Sequence, residues 1–256
     1  MNANPYEAAN TPGQQAVPYR RLSLTPIKYM QRAYRMIEAQ YLLFLGVTFC
    51  GLLIGSIAPF GILLGPMLTG VYLCFLEKES GSTAKFETLF RGFEHFIPSF
   101  LVMLTAMLCN FIVTITLVAI TIITGFFLLP TAGNAFGNSV PVSFVAIGFA
   151  AAYSVLMLAS FLAFVPFAFC FQLIAEHKMS AGDAMRASTR AAMHNLFPLV
   201  AIYLCLSFFG FVAALFCYVP LFLLMPIQLG STFILYRDTF PRLDDDAAGL
   251  PFPSND

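Results

Sequence analysis

A long stretch of the chain, from His95 to Ala175, contains no Asp, Glu, Lys or Arg residue. A helix or strand in a water-soluble domain needs a polar face toward the solvent, and this stretch has none. Because about 20 apolar residues cross a bilayer as a helix, it is long enough for two crossings and their connection. The chain is therefore predicted to be an integral membrane protein.

The composition of the whole chain agrees with that prediction. Of 256 residues, 59% are hydrophobic and 10% are charged, whereas soluble domains carry about 25% charged residues. The net charge is zero, so no basic surface indicates binding to nucleic acid. The six cysteines lie inside apolar runs without metal-binding spacing, and we interpret them as small buried apolar residues. They are Cys50, Cys74, Cys109, Cys170, Cys205 and Cys217.

Two further charge-free spans, Ala39–Leu76 and Ala191–Tyr236, flank the middle one. Each of the three spans is interrupted by an uncharged turn. The turns are Ile57–Gly61, Thr131–Pro141 and Cys217–Pro220. The predicted fold is all-α, a polytopic membrane protein with six transmembrane helices in three hairpins.

The distribution of charge tests this count. Every Lys and Arg lies in the N-terminal segment, in Lys78–Arg91, in Lys178–Arg190, or at Arg237 and Arg242. With six crossings, all these segments lie on the same side of the membrane. The positive-inside rule identifies that side as cytoplasmic, so both termini are predicted to be inside the cell. An odd number of crossings in any span would put basic residues outside. Four crossings in the middle span would also fit, but only one strong turn signal lies there.

The middle pair of helices is longer than a bilayer requires. Ile97–Pro130 would form about 50 Å of helix, against a hydrocarbon core of about 30 Å. Either these helices tilt and project beyond the outer face, or Gly125 and Pro130 break the first one early. The sequence leaves both open.

An amphipathic helix on the cytoplasmic side is predicted before each hairpin. The first starts at Pro26 and places Ile27, Met30, Tyr34 and Ile37 on one face. The second, KFETLFRGFEHF, aligns Phe86, Leu89, Phe90 and Phe93. The third begins with Ser180 and Asp183 in capping-box spacing, and its many alanines would allow close packing.

Prolines suggest that the helix-plus-hairpin unit is repeated three times. Pro66, Pro166 and Pro226 lie in the second helix of each hairpin, where we expect them to kink the helix. The segments GPMLTG and MPIQLG also match. Chance placement of prolines is the alternative.

Residues 25–238 are predicted to form this membrane domain. Residues 1–24 are rich in Pro, Asn and Gln and are predicted to be a disordered tail. Residues 239–256 are predicted to be an acidic disordered tail.

No group of residues carries recognisable catalytic chemistry, and we expect no catalytic site, no metal and no cofactor. The three histidines, His95, His177 and His194, lack the spacing of a zinc motif. Asn110 is the strongest hydrogen-bonding side chain within a crossing; we expect it to bond a neighbouring helix, with substrate contact as the alternative.

The densest basic cluster is expected to contact anionic lipid, a role compatible with setting topology. Its members are Arg20, Arg21, Lys28, Arg32 and Arg35.

Three segments carry a family resemblance: GPMLTGVYLCFLEKESGSTAKFETLFRGF, AEHKMSAGDAMRASTRAAMHN and YVPLFLLMPIQLGSTFILYRD. Together they resemble a broad group of uncharacterised bacterial six-helix integral membrane proteins with a domain of unknown function, distantly similar to the glycerophosphodiester phosphodiesterase membrane domain. Members usually carry tryptophan, which this chain lacks. The resemblance implies a bacterial inner-membrane protein and brings no catalytic residues.

Ion-coupled transporters generally bury Asp, Glu, Lys, Arg or His at mid-membrane depth. The interior of these spans instead offers Asn110, Gln172, Gln228 and scattered Ser, Thr and Tyr. The leading hypothesis is therefore a non-enzymatic inner-membrane protein that acts through contacts with lipids or proteins, in envelope organisation or complex assembly. Its expected partners are membrane lipids, other membrane proteins or a second copy of itself, and no nucleic acid. The alternative is a transporter or channel for an uncharged or lipid-like solute.

Overall fold

The computed structural model describes residues 25–58, 61–136, 142–216 and 219–241, with the side chains of 127–136 and 142–146 left aside. Every regular element in these ranges is a helix, so the all-α prediction is confirmed for them. The predicted tail 1–24 and most of the predicted tail 239–256 lie outside the described residues.

Nine α-helices follow one another within the described part of the chain. They are α1 (Pro26–Ile37), α2 (Tyr41–Ile57), α3 (Leu64–Glu79), α4 (Phe96–Phe136), α5 (Val142–Phe164), α6 (Cys170–His177), α7 (Ala181–His194), α8 (Leu196–Leu215) and α9 (Val219–Thr239). Three 3-10 helices link some of them: Glu38–Gln40, Phe86–His95 and Val165–Phe167.

Five helical stretches in the described ranges are long and apolar enough to cross a membrane. They are Pro26–Ile57, Phe86–Phe126, Ile147–His177, Leu196–Leu215 and Val219–Thr239. Several helices of this length and composition in one chain are typical of a multi-pass membrane protein. Helix α3 has 16 residues, which is about 24 Å of helix, shorter than a hydrocarbon core of about 30 Å.

The centre of the fold is formed by α3, α6 and the C-terminal half of α9. Most of their residues are buried, among them Phe75, Leu173 and Leu235. The rings of Phe75 and Phe233 stack at 5.6 Å and join α3 to α9. The rings of Phe169 and Tyr236 lie 6.3 Å apart beside α6. These three helices therefore meet in one apolar core.

The three amphipathic helices surround this core in a cyclic order. Phe86–His95 packs along α3, α7 packs along α6, and α1 packs along α9. The second and third helices thus lie against the helix that precedes them, and the first closes the ring on the last. This arrangement is what a threefold repeat of one helix-plus-hairpin unit would produce.

Equivalent positions make equivalent contacts in this ring. A small residue stands four positions after each of the three prolines and contacts the neighbouring amphipathic helix. The pairs are Gly70 with Leu89, Cys170 with Ser188, and Gly230 with Ala33. A Cβ added at Gly70 would collide with the Leu89 carbonyl oxygen, so the backbones approach closely because glycine stands there.

Helix α1 buries only part of its predicted apolar face. Tyr29, Ala33 and Ile37 are buried against α9, while Ile27 and Tyr34 of that face are exposed. Close packing on Gly230 requires a small residue, and Ala33 supplies it. The exposed apolar residues form a second stripe, directed away from the core.

The prolines occupy three different situations. Pro226 lies inside α9, and Pro166 lies in the 3-10 turn that separates α5 from α6. Pro66 is in the first turn of α3, so the expectation of a kink there is wrong. A proline in the first turn removes an N–H that has no intrahelical partner, so the helix is not interrupted.

Of the two alternatives for the oversized middle pair, the early break of its first helix is excluded. Helix α4 runs without interruption from Phe96 to Phe136, through both Gly125 and Pro130.

The folded part extends slightly past residue 238, because α9 continues to Thr239 and Phe240 is buried between Phe169 and Tyr236.

Candidate functional site

An ion cluster joins the ends of the three central helices. The guanidinium of Arg237 on α9 donates from Nε to Glu79 Oε1 at 2.7 Å and from Nη2 to Glu79 Oε2 at 2.5 Å. Its Nη1 donates to both oxygens of Glu176, at 2.8 and 3.0 Å. The Tyr236 hydroxyl donates to Glu176 Oε2 at 2.6 Å. One arginine thereby links α3 and α6 to α9.

This ion cluster is largely shielded from solvent. The Arg237 side chain is 13% exposed, and those of Glu79 and Glu176 are 25% and 14% exposed. The guanidinium also lies 5.6 Å from the centre of the Phe233 ring, an arrangement that stabilises a cation. The planar guanidinium carries several N–H donors in a fixed arrangement, so it can bond two carboxylates at the same time.

The hydrogen bonds of the Arg237 guanidinium are directed at the two carboxylates and connect the three helices. Among the residues that the structure describes, no three His, Cys, Asp or Glu side chains come together as a metal site. The three histidines are therefore not brought into one ligand set.

A second polar group lies inside the core. The Tyr72 hydroxyl is 2.9 Å from Thr232 Oγ1 and, with the Gln172 amide oxygen turned toward it, 3.3 Å from that oxygen. Each of these residues stands six positions after one of the three prolines. We call Tyr72, Gln172 and Thr232 the polar core group.

Single hydrogen bonds join two of the neighbouring helix pairs. Asn110 Nδ2 on α4 donates to the Ser160 carbonyl oxygen on α5 at 3.1 Å. Gln228 Nε2 on α9 donates to the Leu206 carbonyl oxygen on α8 at 3.2 Å. Asn110 thus occupies the helix-to-helix role that its residue type favours in a membrane.

The basic residues expected to contact lipid differ in their exposure and in their contacts within the protein. Arg20 and Arg21 lie outside the described residues. Lys28 and Arg35 are exposed on α1. Arg32 donates to both carboxylate oxygens of Asp238, at 2.7 and 3.1 Å. It therefore joins α1 to α9 and does not serve lipid binding alone.

The sequence reasoning missed both the ion cluster and the polar core group. It assigned Glu79, Glu176 and Arg237 to polar segments outside the membrane. One signal was available: each stands at or close to the end of the second apolar segment of its predicted hairpin, with charges of opposite sign. A second signal was that Tyr72, Gln172 and Thr232 each stand six positions after one of the three prolines.

Comparison of the chain with protein-family models, with curated proteins and with solved structures found no match.

Proposed function

We propose that the chain is a six-helix protein of the bacterial inner membrane, with three hairpins and both termini in the cytoplasm. The crossings are α2 with α3, α4 with the combined α5 and α6, and α8 with α9. Helix α3 serves as a crossing despite its length, because the apolar residues 61–63 precede it. This topology is supported by the positions of Lys and Arg, because with six crossings every segment that contains them falls on the same side of the membrane, as the positive-inside rule requires.

The protein belongs to the class that acts through contacts with lipids or partner proteins, in envelope organisation or complex assembly, and it is not an enzyme. The observation that carries this proposal is the use of the shielded ionisable groups. Arg237, Glu79 and Glu176 bond one another across three helices, which favours a scaffold over a reaction centre. The extensive apolar surface of α4 and α5 supplies area for such contacts.

Two measurements on one strain pair test this function. The tagged protein is purified from native membranes, and its co-purifying proteins and lipids are identified by mass spectrometry. A strain lacking the gene is compared for envelope lipid and protein composition. Specific enrichment with an altered envelope is expected; no enrichment and an unchanged envelope would remove the proposal.

The alternative, a transporter or channel for an uncharged or lipid-like solute, is favoured by the polar core group. Hydroxyl and amide groups within an apolar core can bind a solute that offers hydrogen bonds. Protein in liposomes is tested with glycerol as the uncharged probe, comparing Tyr72→Phe with the exposed-site control Ser154→Ala. Permeability equal to that of empty liposomes is expected from the leading proposal, whereas flux lost only in Tyr72→Phe would favour transport.

A further inference from the structure

Helix α7 has a buried face of small residues and an exposed basic face. Ala184, Ser188 and Ala191 are buried against the preceding elements. Arg186 and Arg190 stand four positions apart, so they share one face of the helix, and both are exposed. The two arginines therefore point away from the core of the protein.

The chain supplies no acid for these two arginines. Among the residues that the structure describes, neither guanidinium forms an ion pair. The acid of this helix, Asp183, accepts a hydrogen bond from Ser180 Oγ at 2.7 Å. On the second amphipathic helix, in contrast, Arg91 bonds Glu94 at 3.4 Å. Helix α7 therefore presents two positive charges that are available to an anionic partner.

Exposed apolar residues follow the two arginines directly. Met193 on the same helix is 59% exposed, and Phe197 in the first turn of α8 is 75% exposed. Helix α8 is long and apolar enough to cross a membrane. Six positions separate Arg190 from its first residue, about 9 Å at the rise of a helix, and a headgroup layer is about 5–8 Å thick. Arg190 can therefore reach the headgroups while Phe197 lies among the acyl chains.

This combination of charge and apolar surface fits an anionic phospholipid. The N–H donors of a guanidinium match the oxygens of a phosphate group, and the adjoining apolar side chains fit the acyl chains. A soluble phosphate ester offers the charge without the apolar part. In the proposed topology α7 lies on the cytoplasmic side, where basic residues near the surface are attracted to anionic lipid.

We propose that this surface binds an anionic phospholipid, whose phosphate is bonded by the two arginines and whose acyl chains lie along the two apolar residues. We call these four residues, Arg186, Arg190, Met193 and Phe197, the α7 stripe. The inference rests on the proposed function, action through contacts with lipids or proteins, and adds a lipid class and its site.

Tryptophan fluorescence of the reconstituted protein tests the site, because the chain contains no tryptophan of its own. Phe197→Trp places a reporter in the α7 stripe. Phe86→Trp places the control on the second amphipathic helix, where the exposed charges Lys85, Glu87, Arg91 and Glu94 balance. Phosphatidylcholine vesicles receive increasing amounts of brominated phosphatidylglycerol or brominated phosphatidylcholine, each of which quenches a tryptophan that it contacts.

The two reporters are expected to differ in their preference for phosphatidylglycerol over phosphatidylcholine. Each arginine should add about fivefold, so the ratio of binding constants should be roughly 25 at Phe197→Trp and about 1 at Phe86→Trp. Adding Arg186→Gln and Arg190→Gln should lower the ratio at Phe197→Trp to about 1. Arg186→Lys with Arg190→Lys retains the charges and should retain most of the preference.

Several outcomes would overturn the proposal. No preference at Phe197→Trp would mean that the stripe does not bind this lipid class, and equal preference at both reporters would mean general charge attraction. Preference that survives the two glutamine substitutions would assign the lipid to other residues. Preference abolished by glycerol phosphate would indicate a soluble ligand. Preference that appears only after Asp244→Asn, Asp245→Asn and Asp246→Asn would assign the stripe to the acidic tail of the chain.

Failure of this site is distinguishable from failure of the proposed function. Selective binding of phosphatidylglycerol by a protein whose deletion leaves the envelope unchanged would keep the site and remove the function. Enriched protein partners and an altered envelope without lipid preference at Phe197→Trp would keep the function and remove the site.

Discussion

At the scale of single residues, Arg237 is the most connected charged group in the described part of the chain. It neutralises two carboxylates that are themselves mostly shielded from solvent. Removing one partner from such a group leaves uncompensated charge, which is far more costly than losing an exposed ion pair. The stability of the central helices therefore depends on this side chain.

We expect Arg237→Ala to lower the free energy of unfolding by about 3–5 kcal/mol, measured by denaturant titration in mixed micelles. The matched control is Arg91→Ala, which breaks an ion pair with Glu94 whose side chains are 60% and 59% exposed; its expected cost is at most about 1 kcal/mol. Equal losses in the two variants would contradict the account. Adding Glu79→Gln and Glu176→Gln to Arg237→Met should recover stability, since the unpaired charges are then removed.

Gly70 is the second residue on which the fold depends. Gly70→Ala should cost about 1–3 kcal/mol, because its Cβ would collide with the Leu89 carbonyl oxygen and separate α3 from the Phe86–His95 helix. Gly182→Ala on α7, where nothing lies within 4 Å of the added Cβ, is expected to stabilise by about 0.5–1 kcal/mol. The same titration compares them, and a neutral Gly70→Ala would refute the close approach.

At the scale of elements, the helix break at Pro166 is stabilised by a neighbouring helix. The 3-10 turn at Pro166 leaves backbone groups without helical partners, and Ser188 on α7 satisfies two of them. Its Oγ donates to the Pro166 carbonyl oxygen at 2.7 Å and accepts from the Phe169 N–H at 3.1 Å. Transmembrane helices tolerate proline when neighbours satisfy the freed groups in this way.

Ser188→Ala should therefore cost about 1–3 kcal/mol, because it leaves buried backbone groups without partners. Ser154→Ala is the control: Ser154 is exposed and bonds only its own helix, at the Ala150 carbonyl oxygen, so a change below about 0.5 kcal/mol is expected. Thermal unfolding in detergent distinguishes them. A loss of stability in Ser154→Ala as large as in Ser188→Ala would argue against a specific role for the hydroxyl at the break.

The elements could be predicted from the sequence to different degrees. The start of α1 at Pro26 and the capping of α7, where Ser180 Oγ accepts from the Asp183 N–H at 3.3 Å, follow from local rules and agree with the structure. The buried face of α1 could not be predicted from its pattern, because the helix has apolar residues on two sides. Which side is buried depends on Gly230, more than 190 positions later in the chain.

At the scale of the whole molecule, charge-free spans indicated a membrane protein but not how its helices meet. The cyclic packing of amphipathic helices on α3, α6 and α9 depends on contacts between distant segments. The ion cluster was missed for the same reason: residues 79, 176 and 237 are far apart in sequence, and each alone resembles an ordinary solvated charge.

The central claim is that all charged segments lie on one side of the membrane and the uncharged turns on the other. The most direct measurement is labelling of single cysteines in intact spheroplasts with a membrane-impermeant thiol reagent. All six native cysteines are first replaced by serine, because Cys217 itself lies in a predicted outer turn. Ile57→Cys and Phe216→Cys should be labelled from outside, whereas Ser82→Cys should be labelled only after permeabilisation. Because α3 separates Ile57 from Ser82, labelling of both positions from the same side would contradict the six crossings.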